Sequence, residues 1–337
     1  MTATIPFHSA RYFEHGLSRI WRSDVLDLYD QWESPTIIIS DGAYGVSGFP
    51  GDTMTPNDLA DWYEPHVACW TKKSTPETTL WFWNTEIGWA NTHSILQKYG
   101  WVYRGLCIWD KGVAHIAGNV NTQSIRRVPP VTEVCAHYVR EATFFSGHKE
   151  ISMKEWLRKE WTRTGLPLTK TNEACGVKNA ATRKYFTQCH LWYYPPVELF
   201  EKIVDYANTH GHPEGRPYFT VDGKKSLTGY EWSRMRSKFK CEHGVTNVWR
   251  EPAVRGTERI KAGNKALHMN QKPICLLEQV IRMTSDEGDL VWEPFGGLCS
   301  VSLASARLSR RCVSAEILDE YYDLAINRFD EQSPGVA

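Results

Sequence analysis

Between residues 1 and 145, short apolar runs bounded by turn residues alternate with segments whose apolar positions recur at helical spacing. The runs read as buried strands and the recurrences as helices. In "SPTIIISDGAYG" the run Thr36 to Ile39 is the clearest strand, ending in a polar turn that contains glycine. "TPNDLADWYEPHVACW" reads as a helix with Pro56 early enough to sit in its first turn, where the missing N–H would be unpaired anyway. "TTLWFWN" reads as a strand, "WANTHSILQKYG" as a helix closed by Gly100, and "WVYRGLCIWDKG" as a further strand. This rhythm predicts a layered α/β domain with a largely parallel sheet.

From about residue 146 the rhythm stops. "SMKEWLRKEWTRTG" is amphipathic, with Ser152 and Glu155 spaced as a capping box. "LTKTNEACGVKNAATRKYF" reads as a short helix, a glycine turn and a second helix, the outline of a helix-turn-helix. Its second helix, Asn179 to Phe186, would present Lys178, Asn179, Thr182, Arg183 and Lys184 to DNA; the alternative is an ordinary helical hairpin. Further on, Asp222-Gly223 reads as a turn among basic residues, with Lys224, Lys225, Arg234, Arg236 and Lys238 available to phosphates.

The α/β pattern returns at about 268. In "VWEPFGGLCSVSLASARLSRRCVSAEI" a strand over Asp289 to Trp292 meets a turn at Gly296-Gly297. A helix of small residues over Ser300 to Leu308 and a strand over Cys312 to Ile317 complete a βαβ unit. A glycine turn lets backbone approach a ligand, and a carboxylate ending the next strand, Glu316, suits ribose hydroxyls. The same pattern also serves tight strand–helix packing with Glu316 at the surface.

Composition localises the charge. The net charge of zero removes any whole-chain argument for nucleic acid, but residues 146–262 hold 21 Lys+Arg against 13 Asp+Glu. The remainder holds 18 against 26, so a basic insert interrupts an acidic body. Such an insert suits a polyanion or forms a solvated face. Nine scattered cysteines without a Cys-x-x-Cys pair fit reduced thiols in the cytoplasm. Cys241-Glu242-His243 lacks the second ligand pair that a zinc site needs. The start "MTATIPFHSARYF" has no apolar signal core, which predicts a soluble, non-exported chain. The fifteen tryptophans are expected mostly in cores and walls.

Taken in order, the separate pieces resemble the beta class of DNA amino-methyltransferases, which use S-adenosylmethionine. That class places a catalytic half first, then a target-recognition region, then a cofactor half. Its catalytic signature, Asp/Asn/Ser-Pro-Pro-Tyr/Phe after a strand, matches Asp41, Gly42, Ala43 and Tyr44 in "IIISDGAYG". "RSDVLDLYDQW" resembles the segment that puts Asp24 near the cofactor's adenine, although Asp24 could equally be a helix cap. "HMNQKP" resembles the segment whose Lys272-Pro273 precedes a helix flanking the methionine end. "WEPFGGLCS" resembles the glycine loop and assigns Glu293, Pro294, Phe295, Gly296, Gly297 and Ser300 to the cofactor, with Glu316 on its ribose. "IWDKG" and "EYYDLAINRF" resemble the segment before the recognition region and the closing helix.

The resemblance implies a Rossmann-like α/β methyltransferase fold with a mainly parallel sheet and a largely helical basic insert. Residues 1–145 would form the catalytic half, 146–262 the recognition insert and 263–337 the cofactor half. It further implies double-stranded DNA as substrate, a cognate restriction endonuclease as functional partner, and a monomer or homodimer.

The chemistry that the resemblance implies is physically simple. An exocyclic amine is a poor nucleophile because its lone pair is delocalised into the ring. The protein must supply in-line placement and acceptors that draw the N–H groups out of conjugation; Asp41 Oδ and the Gly42 carbonyl would be these. Tyr44 would stack on a base swung out of the duplex. The chain contains no Pro-Cys, which excludes the familiar route to cytosine C5. An acid at the first signature position points to adenine N6, while Ser40, one residue away, keeps cytosine N4 as the alternative. Gly42 and Ala43 replace both signature prolines, Glu293 replaces an aspartate, and Cys299 replaces the second glycine of the loop. These departures raise a competing reading, a DNA-binding protein on a methyltransferase scaffold that no longer transfers methyl groups. An RNA or small-molecule methyltransferase is a third.

Overall fold

A computed structural model describes residues 11–47, 52–53, 55–116, 124, 126, 128–213, 215–256, 258–262, 265–266 and 271–332. The strands are β1 (Arg11–His15), β2 (Ser18–Arg22), β3 (Ile37–Ser40), β4 (Thr79–Asn84), β5 (Val102–Asp110) and β6 (Thr132–Val139), then β7 (Phe144–Ser146) and β8 (Lys149–Ile151). After these come β9 (Val248–Arg250), β10 (Lys261–Ala262), β11 (Lys265–Ala266), β12 (Leu290–Glu293) and β13 (Arg311–Glu316). The helices are α1 (Leu59–Lys73), α2 (Glu86–Lys98), α3 (Met153–Arg163), α4 (Lys170–Ala174) and α5 (Ala180–Tyr185). They continue as α6 (Val197–His210), α7 (Gly229–Ser233), α8 (Ile274–Thr284), α9 (Ser300–Arg307) and α10 (Asp319–Gln332).

One sheet organises both ends of the chain, in the order β1-β2-β13-β12-β3-β4-β6-β5-β9. From β2 through β13, β12 and β3 to β4 every pairing is parallel, and β6 runs antiparallel to both β4 and β5. Burial on two faces explains why β3 reads as an unbroken apolar run. Ile38 packs with Tyr63 and Trp70 of α1, whereas Ile37 and Ile39 pack with Val280 of α8 and Val301 of α9. Trp70, Trp81, Trp83, Trp101 and Trp292 are fully buried around this sheet, as expected for core residues. The arrangement is a mainly parallel, Rossmann-like α/β sheet, with β12 and β3 as adjacent parallel strands from opposite ends of the sequence.

The compact body comprises 1–140 with 237–337, and Glu141–Arg236 forms a second unit. The insert expected over 146–262 therefore ends sooner. Residues beyond Arg236 rejoin the sheet body: β9 pairs in parallel with β5, and Lys238 Nζ lies 2.7 Å from Asp289. Part of the basic excess goes with them, since 141–236 holds 15 Lys+Arg against 11 Asp+Glu. The hairpin β1–β2, which the apolar pattern did not announce, extends the parallel strands through β13.

The second unit is largely helical and has its own core, in which Phe200 stacks on Trp232 at 4.1 Å. Ser152 accepts from the Glu155 N–H at the start of α3. The buried Glu160 carboxylate holds Arg163, Arg216 and the Phe219 N–H.

Candidate active site

The carboxyl ends of adjacent parallel strands are where an open α/β sheet leaves a crevice, because the connections there diverge to opposite faces. β3 ends in Asp41-Gly42-Ala43-Tyr44 and β12 in Pro294-Phe295-Gly296-Gly297. Both turns line one cavity of about 550 Å³ in the sheet-bearing body. They touch: a Cβ on Gly42 would lie 2.7 Å from the Phe295 ring and 2.9 Å from the Tyr63 hydroxyl.

At the β3 end, Asp41 belongs to a buried network of alternating charges. Lys272 Nζ reaches Asp41 Oδ1 at 2.7 Å and Oδ2 at 2.9 Å, and Glu133 Oε2 at 3.3 Å. Glu133, on β6, also pairs with Lys111. Burial alone would drive the Lys272 ammonium down, but Asp41 and Glu133 outweigh it and hold the group above its ordinary value. Burial would likewise raise the Glu133 carboxyl, yet Lys272 and Lys111 hold it below its usual range.

The Tyr44 hydroxyl lies 2.7 Å from Asp41 Oδ1 and 3.2 Å from Glu133 Oε2. Burial, then the neighbouring Asp41 and Glu133 charges, push this phenol well above its ordinary value. With only 7% of its surface exposed, Tyr44 braces the acid in this conformation instead of offering an open ring face.

At the β12 end, the glycines are dictated by contact. A Cβ on Gly296 would meet Ser314 Oγ at 2.6 Å, and Gly297 has φ +53°. Gly297 N donates to Glu316 Oε2 at 2.6 Å and Leu318 N to Oε1 at 2.8 Å. With the Ile317 N–H as a further backbone donor, the carboxylate takes three amides and keeps one of its four lone-pair sites. Burial raises this carboxyl, opposed by those amides. Glu293 points elsewhere: it accepts from Val301 N, Ser302 N and Ser302 Oγ at the start of α9. Burial pushes it up to about 7 against those donors. Cys299 takes the left-handed backbone (φ 51°, ψ 43°) that a glycine adopts without strain.

The cavity brings together Asp24, Asp41, Gly42, Ala43, Tyr44 and Lys272 with Glu293, Pro294, Phe295, Gly296, Gly297, Ser300 and Glu316. Asp24 serves both readings, lining the cavity while accepting from Leu26 N as a cap. Pro273 is not among the lining residues; it caps α8. Lys272, expected beside the cofactor, has its ammonium engaged by Asp41 and Glu133. His268 and Asn270 of the "HMNQKP" segment lie outside the described residues.

Sequence reasoning missed Glu133, Asp52 and the α1 wall of Trp62 and His66. Trp62 and His66 are four residues apart on one helical face, a readable signal that resembles any core stripe. Burial pushes the His66 imidazole down to about 4, so it is neutral at physiological pH.

In the second unit, α4, the Gly176 turn and α5 form the expected helical pair. Lys178, Asn179, Arg183 and Lys184 are exposed. Thr182 is not available to a ligand in the way expected: its hydroxyl lies 2.6 Å from Thr171 Oγ1 and 3.1 Å from Leu168 O, fastening α5 to α4. Lys225 is paired with Glu231, and Arg236 lies over the Tyr194 ring, so those cations already have partners.

Comparison with known proteins agrees with this architecture. The chain is 27% identical to the Type II methyltransferase M.ScaI of Streptomyces caespitosus over 120 residues, covering 34% of this chain and 40% of that protein. It is 27% identical to the Type II methyltransferase M.HpaI of Haemophilus parainfluenzae over 157 residues, covering 45% and 47%. The matched stretches thus span less than half the length of either relative. Among solved structures, the PvuII DNA methyltransferase, described as cytosine-N4-specific, superposes with a TM-score of 0.53 at 13% identity. That match covers 96% of this chain and 89% of the other, and it establishes likeness of fold. A DNA methylase family model matches residues 36–327, and the chain belongs to that family.

Proposed function

We propose that the chain transfers a methyl group from S-adenosylmethionine to the exocyclic amine of a DNA base. Adenine N6 is the first choice, and the reaction serves as the modification half of a restriction system. The observation that carries this reading is the cavity shared by the Asp41-Gly42 turn and the Gly296-Gly297 bend. The residues there fit the cofactor: Gly296 leaves space that a Cβ would fill, and Glu316 keeps a lone pair for a ribose hydroxyl. When bound, S-adenosylmethionine supplies an electrophilic sulfonium methyl.

The remaining work falls to the protein. Asp41 and the Gly42 carbonyl accept the two amine hydrogens and turn the nitrogen lone pair out of the ring plane. Lys272 and the Tyr44 hydroxyl fix the Asp41 carboxylate with three short contacts and leave a lone pair on Oδ2 for the amine. As the N–C bond forms, the bond between that methyl and the cofactor's sulfur would break, its electron pair staying on the departing thioether; the amine loses a proton, and Asp41 is the adjacent acceptor. Positioning of this kind supplies up to about 7–11 kcal/mol of barrier reduction in favourable systems. Asp41 faces the cavity, whereas Ser40 is buried within β3. This placement supports the reading in which the acid, not the serine, meets the base, and with it adenine over cytosine N4. Lys178, Asn179, Arg183 and Lys184 are assigned to DNA contact on their exposure and charge.

The test is incubation of plasmid DNA with the chain and methyl-labelled cofactor, followed by mass spectrometry of nucleosides. Labelled N6-methyladenine is expected. N4-methylcytosine alone moves the assignment to the alternative, and no label in either nucleoside refutes the activity.

A further inference from the structure

The turn after β3 lacks the two prolines that its resemblance leads one to expect, yet it is held on both sides. On one side, Ala43 O accepts from the Tyr63 hydroxyl at 3.0 Å and from Asn84 Nδ2 at 2.9 Å. On the other, the backbone N–H groups of Tyr44, Gly45 and Val46 converge on the single carboxylate of Asp52. Asp52 Oδ1 lies 2.9 Å from Tyr44 N, 2.8 Å from Gly45 N and 2.6 Å from Thr53 N. Oδ2 lies 3.0 Å from Tyr44 N and 3.3 Å from Val46 N.

Successive amides around a left-handed residue form a concave anion site, and Gly45 supplies that residue with φ +74°. No side chain fits at Gly45, where a Cβ would lie 2.5 Å from Pro56 Cα. The concavity is filled from within the chain. Asp52 also lines the cavity, so its carboxylate stands beside the group it organises.

We propose that Asp52 is a positioning residue for methyl transfer. By gathering the amides of residues 44 to 46, its carboxylate does through hydrogen bonds what paired prolines do through ring closure. It fixes the path of the backbone from Asp41 to Val46, and with it the direction of the Gly42 carbonyl. Asparagine cannot replace it, because an amide offers one acceptor oxygen and turns an NH2 toward donors. This inference rests on the methyltransferase reading above.

The experiment compares Asp52→Asn with the unaltered chain in single-turnover methylation, equilibrium cofactor binding and thermal unfolding. Loss of a supporting hydrogen-bond partner of this kind lowers rates by about 10–100-fold. The expected result is such a fall in the methylation rate, with cofactor Kd changed by less than about threefold, since Glu316 and the Gly296-Gly297 bend are untouched. A rate within about twofold of the unaltered chain, or a Kd that weakens in step with the rate, overturns the proposal. Hydrogen exchange of the unaltered chain provides an arm that needs no variant. Protection of the Gly45 and Val46 amides is expected, and exchange at free-peptide rates overturns the cradle. If the unaltered chain transfers no methyl group, the functional reading fails and the positioning role falls with it. If it does and Asp52→Asn matches it, the positioning role alone fails.

Discussion

Replacing Lys272 with methionine keeps most of the side chain's apolar length and removes an ammonium shared by Asp41 and Glu133. At an effective dielectric of about 20, a charge pair at 2.7 Å attracts by roughly 6 kcal/mol and one at 3.3 Å by roughly 5. Desolvation of the buried ammonium offsets much of that sum, and breaking such a pair costs about 3–5 kcal/mol. The dependence on pH identifies the cause. In the unaltered chain Lys272 and Lys111 hold Glu133 below the ordinary carboxylate range, and Asp41 and Glu133 hold Lys272 above the ordinary ammonium value. The network's contribution is therefore intact between those values. It is lost as pH falls through the lowered Glu133 value or rises through the raised Lys272 value.

In Lys272→Met the sign reverses. Burial and mutual repulsion raise one carboxyl of the Asp41–Glu133 pair above its unfolded value, so the folded protein binds a proton that the unfolded chain has released. Stability then falls as pH rises across that window, by up to about 1.4 kcal/mol per unit. Urea unfolding at about pH 5.5 and about pH 7.5 reads the effect, with a larger deficit at the higher pH. A deficit under about 1 kcal/mol, or one equal at both pH values, would falsify the idea that Lys272 neutralises this pair.

Other substitutions separate the two ends of the cavity. Gly42→Ala forces a methyl against Phe295 and Tyr63, costing about 1–3 kcal/mol by overpacking; methylation should collapse while the folded chain still binds cofactor. Glu316→Gln removes a charged acceptor worth about 1.5–3 kcal/mol, so calorimetry should show cofactor affinity falling about 10–100-fold. Because burial raises Glu316, cofactor affinity of the unaltered chain should also weaken on acidification before ordinary carboxylates titrate. Arg183→Ala should weaken DNA binding evenly across sequences and reduce the slope of log K against log salt by about 1. An unchanged slope would remove Arg183 from the phosphate contacts.

Strands β3, β4, β5, β12 and β13 and the two turns that line the cavity were legible because each has a local signature. β3 and β12 are apolar runs ended by glycine turns, and chain order placed Asp41 and Glu316 at strand ends. What stayed hidden depends on contacts between distant segments. Glu133 sits in a strand that reads as core, and its charge is tolerated only because Lys111 and Lys272 arrive from elsewhere. Asp52 follows a turn-rich stretch in which an aspartate has no special meaning until three amides point at it. Thr182 looked like an exposed helix residue because periodicity cannot tell a surface threonine from one tied to the preceding helix. The boundary at Arg236 was lost because β9 is three residues long, too short for any period to register.

A crystal structure with S-adenosylhomocysteine measures the central claim most directly. The ribose hydroxyls should lie on Glu316 and the backbone along Gly296-Gly297, with the thioether sulfur facing the Gly42 carbonyl and Asp41 across a gap that admits one base amine. A sulfur directed away from Asp41, or a ligand bound outside this cavity, would contradict methyl transfer at this site.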